Sequence, residues 1–319
     1  MELVLQNLVS PIVLCFALGI VARWVKSDFE LPDALYQGLS IYLLLAIGLK
    51  GGSAVSQTPV MDLLGPAVVT LVLGVLTPIS AFLVARYFAR LNRTDSAALA
   101  AHYGSVSAVT FLAAVEAARM AGYAPEGYLA ALVALLEVPG IIVGLVLARQ
   151  QGAGSMGRAI HDVLTGKSIL LLVGGLVIGT VCGAEKVATV GPFFIEPFKG
   201  VLCIFLLELG TIAAGRMRDM SESGWRLVIL GCFLPTVHGI LGTLGGMLAG
   251  MSPGGAAVLG AMVGSASYIA APAAVRIALP KASPGIYLTL ALGITFPFNL
   301  IVGIPLFLKI AKWLHPVLS

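Results

Sequence analysis

The sequence predicts an all-α polytopic membrane protein: ten transmembrane helices forming two inverted five-helix repeats, with broken helices 4 and 9 crossing one another. Three observations carry that expectation. The chain is 59% hydrophobic and only 11% charged over 319 residues, with a mean hydropathy of +1.01. Its apolar residues gather into ten runs of membrane-spanning length. The polar phrase Gly-Ser-x-Ser interrupts two of those runs, beginning at Gly104 and again at Gly264.

An average soluble domain carries roughly 25% charged residues. Nineteen Lys and Arg with fifteen Asp and Glu cannot solvate a globule of 32.9 kDa, so lipid must be the solvent for most of the chain. The net charge of +4 is scattered through short connectors, the pattern of membrane loops and not of a nucleic-acid partner. Cys15, Cys182, Cys203 and Cys232 lie singly in apolar runs and read as small core residues, not as ligands or disulfides. The chain has no H-E-x-x-H motif and no P-loop, and symmetric pairs of serine do not make a hydrolase nucleophile with a basic partner, so no enzyme is expected. Nor is any cofactor beyond a coupling ion. The first apolar run, "LVSPIVLCFALGIVARW", has no small-residue cleavage motif after it and reads as a span, not as a removable leader.

A hydrocarbon core of about 30 Å takes roughly 20 apolar helical residues. Spans 1 and 2 are expected at 9–25 and 32–50, divided by Arg23 and Lys26; span 3 at 62–88 precedes Arg90 and Arg93. Span 4 at 95–118 holds the first Gly-Ser-x-Ser phrase, and span 5 at 126–149 holds Glu137. A connector at 152–166 separates the first repeat (1–151) from the second (167–319). There, spans 6, 7 and 8 are expected at 167–183, 193–215 and 224–250. Span 9 at 254–279 holds the second phrase, and span 10 at 284–312 holds "TFPFN". No run alternates with period 2, which argues against a barrel. Thirteen of the nineteen Lys and Arg fall in the connectors after odd-numbered spans. The positive-inside bias puts those connectors in the cytoplasm and both termini outside, in a plasma (inner) membrane.

The repeat is legible in four places. "YQGLSIYLLLAIGLKGG" from Tyr36 matches "FKGVLCIFLLELGTIAAG" from Phe198, and "LGVLTP" ending at Pro78 matches "LGCFLP" ending at Pro235. The two serine phrases follow, and Tyr128-Leu129 matches Tyr287-Leu288, all at offsets of 157 to 162 residues. A unit of five spans is odd, so its copy starts from the opposite side of the membrane. Inverted repeats of this kind belong to secondary transporters, whose substrate binds near the midplane.

Gly and Ser weaken a helix interior, and Ser can satisfy the backbone groups set free. A helix broken at midplane exposes N–H groups that attract an anion without Lys or Arg, and carbonyl oxygens that hold a cation beside it. The expected substrate site is Gly104, Ser105, Val106 and Ser107 facing Gly264, Ser265, Ala266 and Ser267. The bland alternative is close helix packing through small residues. Glu137, an acid inside span 5, is expensive there unless paired or protonated, and reads as a residue coupling ion or proton binding or else as a protonated acid hydrogen-bonded to a neighbouring helix. Thr295 and Asn299 offer oxygens at a comparable depth of span 10. Glu208 reads as a cavity-facing or neutral buried acid, Glu116 and Arg119 as an i, i+3 pair, and His238 as a packing or hinge residue. His102, His161 and His315 read as interfacial.

These residues resemble the sodium-dependent bicarbonate transporter (SbtA-type) family over nearly the whole length. The matching phrases are "IGLKGG" from Ile47, "YGSVSAVTF" from Tyr103, "LLEVPGI" from Leu135, "PTVHG" from Pro235, "GSASYIAAPAAVRIALPKASPGIY" from Gly264 and "IPLF" from Ile304. The resemblance implies a core domain (spans 3–5 and 8–10) moving like an elevator against a gate domain (spans 1, 2, 6 and 7). It implies homotrimers and bicarbonate uptake driven by Na⁺, the ion held near Ser107, Thr110, Glu137, Ser267, Tyr268 and Thr295, with Asn299 beside them. The family carries Asp where this chain has Tyr268, and usually Asp where it has Glu137; the first change bears on how many Na⁺ ions are coupled, or whether Na⁺ is required. The family's longer central connector helps receive a PII-like regulator, and the short "RQQGAGSMGRAIHDVLTGK" argues against that partner here. A symporter of another small organic anion on the same fold, like the bile-acid sodium symporters, is the alternative.

Overall fold

The computed structural model describes residues 9–148, 161, 164–219 and 224–318. Most of the connector 152–166, with the expectation about a PII-like partner that rests on it, lies outside the described residues.

Helices begin where the chain supplies a cap. The Ser10 hydroxyl accepts the Val13 amide at 3.3 Å, and Pro11 opens α1 (Pro11–Trp24), where the N–H it lacks would have had no partner within the helix. Next come α2 (Asp33–Val55) and α3 (Val60–Leu83), which ends in a π-helical turn (Val84–Phe88). Asn92 accepts the Asp95 amide at 2.8 Å and starts α4 (Arg93–Gly104). Then follow α5 (Ala108–Met120), α6 (Leu129–Ala148), α7 (Lys167–Thr189), the short α8 (Gly191–Phe194), α9 (Phe198–Asp219) and α10 (Trp225–Leu248). Ser252, which accepts the Gly255 amide at 3.0 Å, caps α11 (Pro253–Val263), and α12 (Ala270–Ala278) follows.

The last stretch is irregular around a proline. After α13 (Pro284–Leu288) the chain runs through two π-helical segments, Thr289–Thr295 and Asn299–Gly303, before α14 (Ile304–Leu318). Pro297 between them has no N–H to give to the helix ladder, and wider turns absorb the mismatch.

Among the described residues every regular element is helical, with no strand, and eight helical stretches are long and apolar enough to cross a membrane. They are α2, α3 with its π turn, α4–α5, α6, α7, α8–α9, α10 and α13–α14. The expected first and ninth spans differ: α1 has 14 residues and α11 has 11, about 21 and 17 Å at 1.5 Å per residue. Expected span 6 also runs beyond 183, because α7 kinks at Gly183 (φ 72°) and continues to Thr189.

Side chains such as Val181, Leu248, Phe233 and Trp24 point outward from these helices, as lipid-facing surfaces require. Inward, small residues let backbones touch. A Cβ on Gly48 would lie 2.5 Å from the Leu172 carbonyl oxygen of α7 and 2.9 Å from Gly175 Cα, and Gly19 of α1 meets Gly210 of α9 in the same manner. Such approaches favour association in lipid, where burying apolar surface supplies no driving force between helices. The aromatic centre includes Phe16 edge-on to Phe296 at 5.0 Å.

Substituting Gly48→Ala should lower the melting temperature in detergent, since overpacking costs about 1–3 kcal/mol. Gly38→Ala in the same helix, where an added Cβ meets nothing within 4 Å, should not lower it. Size-exclusion chromatography after heating reads the difference.

Candidate functional site

The helix of α4 stops at Gly104 because its neighbours leave no room to continue regularly. Gly104 Cα faces Pro78 of α3 and Gly140 of α6, and a Cβ on Gly140 would collide with the Gly104 carbonyl. Ser105 and Ser107 are extended (ψ 153° and 109°), and Ser107 then caps α5 through its hydroxyl, which accepts the Thr110 amide at 3.1 Å and the Thr110 hydroxyl at 3.0 Å. In the second half α11 ends at Val263, Gly264 abuts Gly239 and the Pro235 carbonyl, and α12 resumes only at Ala270.

The two interruptions bond to each other. The Ser107 amide donates to Ser265 Oγ at 2.8 Å, and Ser265 Oγ–H donates on to the Met262 carbonyl at 2.7 Å. In return the Ser267 amide donates to the His102 carbonyl at 2.8 Å. Ser267 Oγ accepts the Ala271 amide at 3.3 Å, capping the first turn of α12. Asn299 Nδ2 donates to the Gly264 carbonyl at 2.9 Å. All eight residues from the two phrases are buried. No Lys or Arg lies among them.

Several polar groups in this region have no protein partner among the described residues: the Ser105 hydroxyl and Asn299 Oδ1, and the amides of Ala108, Val109, Tyr268 and Ile269. Buried groups of this kind are costly in an apolar interior unless water or a ligand meets them. Donors and acceptors occur together, so the region can hold an anion on amides and a hard cation on hydroxyl and carbonyl oxygens. Among the described residues no three His, Cys, Asp or Glu cluster as a transition-metal site.

The remaining expected residues divide. Thr110 stands one turn into α5 on Ser107, and Asn299 reaches Gly264 directly. Thr295 is already engaged: its hydroxyl donates to the Gly231 carbonyl at 2.8 Å and bonds the Tyr103 hydroxyl at 2.6 Å. That carbonyl lacks its helical donor because Pro235 stands four residues on. Glu137 is buried one turn before Gly140 and Ile141 on the same face of α6, with no hydrogen-bond or ion-pair partner among the described residues. It touches neither serine phrase through a hydrogen bond.

Two expectations change. Glu116 pairs with Lys199 of α9 at 2.7 Å, not with Arg119; the across-helix partner lies closer than the i, i+3 one. His102 is not interfacial but fully buried, its Nδ1 on the Ala98 carbonyl at 2.7 Å and its ring stacked on Tyr287 at 4.4 Å. Glu208 accepts the Leu31 amide at 3.4 Å and lines a cavity with Arg23 and Lys26. His238 Nε2 bonds Ser80 Oγ at 2.6 Å and so ties α10 to α3, which suits packing. The Tyr103–Thr295–Gly231 chain was missed by sequence reasoning; Pro235 was the signal, since a proline inside a span advertises an orphaned carbonyl four residues earlier.

One cavity borders α5, and another reaches the end of the second interruption. The first, of about 110 Å³, is floored by Ile12, Ile47 and Phe111, with Lys50, Arg119 and Lys199 along it. The other, about 520 Å³, reaches Tyr268, Ile269 and Ala270.

Comparison with curated proteins finds no match. The family model of the Na+-dependent bicarbonate transporter superfamily matches residues 11–312. With nearly the whole chain matched, and with buried, uncharged, partly unpartnered interruptions at its centre, the protein belongs to the Na+-dependent bicarbonate transporter superfamily.

Proposed function

We propose that the protein imports bicarbonate by Na⁺ symport through alternating access, with the anion between the Gly104–Ser107 and Gly264–Ser267 interruptions. The observation that carries the reading is the reciprocal bonding of the two phrases, Ser107 to Ser265 and Ser267 to His102. It brings unpaired amides and oxygens from both halves to one buried place without any fixed charge.

Pairwise packing supports the inverted repeat of ten spans. α2 packs on α7 and α1 on α9, the two pairs that exchange when spans 1 and 2 are swapped for spans 6 and 7. Pro78 beside Gly104 and Pro235 beside Gly264 are a second such exchange. On this reading α4–α5 and α11–α12 are the broken crossing helices. The core domain (spans 3–5 and 8–10) slides as an elevator against the gate domain (spans 1, 2, 6 and 7). Na⁺ takes oxygens of Ser107, Thr110, Ser267 and Asn299, with Glu137 supplying charge and Tyr268 a neutral hydroxyl. Thr295 positions Tyr103 beneath them. The protein works as a homotrimer in the inner membrane, with both termini outside.

Uptake of radiolabelled bicarbonate into proteoliposomes should require an inward Na⁺ gradient; no uptake with or without the gradient removes the substrate assignment. Ser107→Leu and Ser267→Leu should each abolish uptake while leaving a monodisperse protein, because the side chain fills a site made of backbone. Near-normal uptake in both would favour mere packing. Glu137→Gln should raise the Na⁺ concentration for half-maximal uptake about ten-fold, a loss of roughly 1.4 kcal/mol; an unchanged Na⁺ curve would remove Glu137 from coupling.

A further inference from the structure

The larger cavity has features that the interruptions do not need. It lies between α2, α7 and α12, and its lining includes Gln37, Ser40, Lys167, Ser168, Tyr268 and Arg276. Lys167 and Arg276 are exposed and have no ion pair or hydrogen bond among the described residues. Deeper in, Ser40 is only 4% exposed and Tyr268 8%; the Ser40 hydroxyl has no hydrogen-bond partner among the described residues, and the Tyr268 hydroxyl has only the Ser107 side chain beside it. Among the described residues no acid lines the space. Glu208 faces Tyr36 at the cavity wall, and its carboxylate already accepts the Leu31 amide.

We propose that this cavity is a second anion site, a staging site for a small oxyanion such as bicarbonate, in which Lys167 and Arg276 draw the anion in and Ser40 and Tyr268 hydrogen-bond it beside the second interruption. The inference rests on the reading of the protein as a bicarbonate carrier. Two unpaired cations at the mouth of a low-dielectric cleft raise the local anion concentration. The hydroxyls supply the hydrogen bonds that buried polar groups otherwise lack. At about 520 Å³ the space holds the anion with several waters, each taking about 30 Å³. Tyr268 belongs to both places, so an anion leaving the amides of Tyr268 and Ile269 meets its hydroxyl next and the cations last.

The site is loaded from one face of the membrane only, and that asymmetry is the test. Bicarbonate KM values are measured from both faces, in whole cells and in inverted membrane vesicles, for the wild type and for Lys167→Gln, Arg276→Gln and Ser40→Ala. Each variant should shift the ratio of the two KM values about three- to ten-fold by raising the value from the face that bears Lys167. The two charge variants should also flatten the dependence of that KM on ionic strength. Lys167→Arg, which keeps the charge, should retain the wild-type ratio. Ratios unchanged in all three variants would overturn the inference, as would equal changes from both faces. Wild-type vesicles and cells that move no bicarbonate with Na⁺ would instead overturn the carrier reading, so the two failures are told apart by the wild-type control.

Discussion

An interrupted helix deep in an apolar protein leaves backbone N–H and C=O groups with nothing to bond, and everything about the centre of this molecule answers that constraint. Each break supplies what the other lacks. Ser265 takes the Ser107 amide, the His102 carbonyl takes the Ser267 amide, and Asn299 takes the Gly264 carbonyl. An unmet buried polar group costs about 1–3 kcal/mol by mutational measures, so neither interruption is tolerable without the other nearby. The amides and hydroxyls still unmatched after this exchange are the ones free to meet a ligand. Structural need and binding capacity therefore come from the same shortage of partners.

Prolines and glycines set the geometry around that exchange. Pro78 and Gly140 press on Gly104 from two helices, and Pro235 with Gly239 presses on Gly264. Pro235 frees the Gly231 carbonyl, Thr295 satisfies it, and Tyr103 joins Thr295, so a defect in α10 becomes a tie between α10, the π-helical stretch before α14, and α4. The second π-helical run, Asn299–Gly303, begins at the residue that serves Gly264. Irregular backbone gathers here because it can be bonded here. On the lipid-facing surface it could not be.

Charge is kept at the periphery of this arrangement. Lys50, Arg119 and Lys199 lie along one cavity with Glu116 and Glu126, and Lys167 and Arg276 along another, while the two interruptions hold no basic residue. An exposed cation attracts an anion at range and lets it go again, whereas a buried one would bind too tightly or demand a counter-ion. A centre of neutral donors with cations outside it suits a site that must both fill and empty. Glu137 is the exception, a buried acid with no partner among the described residues, and it is the group that the proposed coupling cation would neutralise.

Composition and hydropathy were enough to read an all-helical membrane protein, and helix ends such as Trp24, Val55 and Leu248 fell within about five residues of the expected span limits, because lipid thickness and capping residues act locally. The two serine phrases were also legible, since Gly and Ser in an apolar run contradict their surroundings. What they bond to was not. The donation from Ser107 to Ser265 joins residues 158 positions apart, and nothing in either segment specifies the other. Likewise Glu116 chose Lys199 over its i+3 neighbour, His102 went inside against Tyr287, and Thr295 served a carbonyl before any ion. Local sequence determines where a helix must fail, because failure is a property of a few adjacent residues. Only the tertiary structure decides which distant group repairs it, because repair depends on which helices lie within 3 Å.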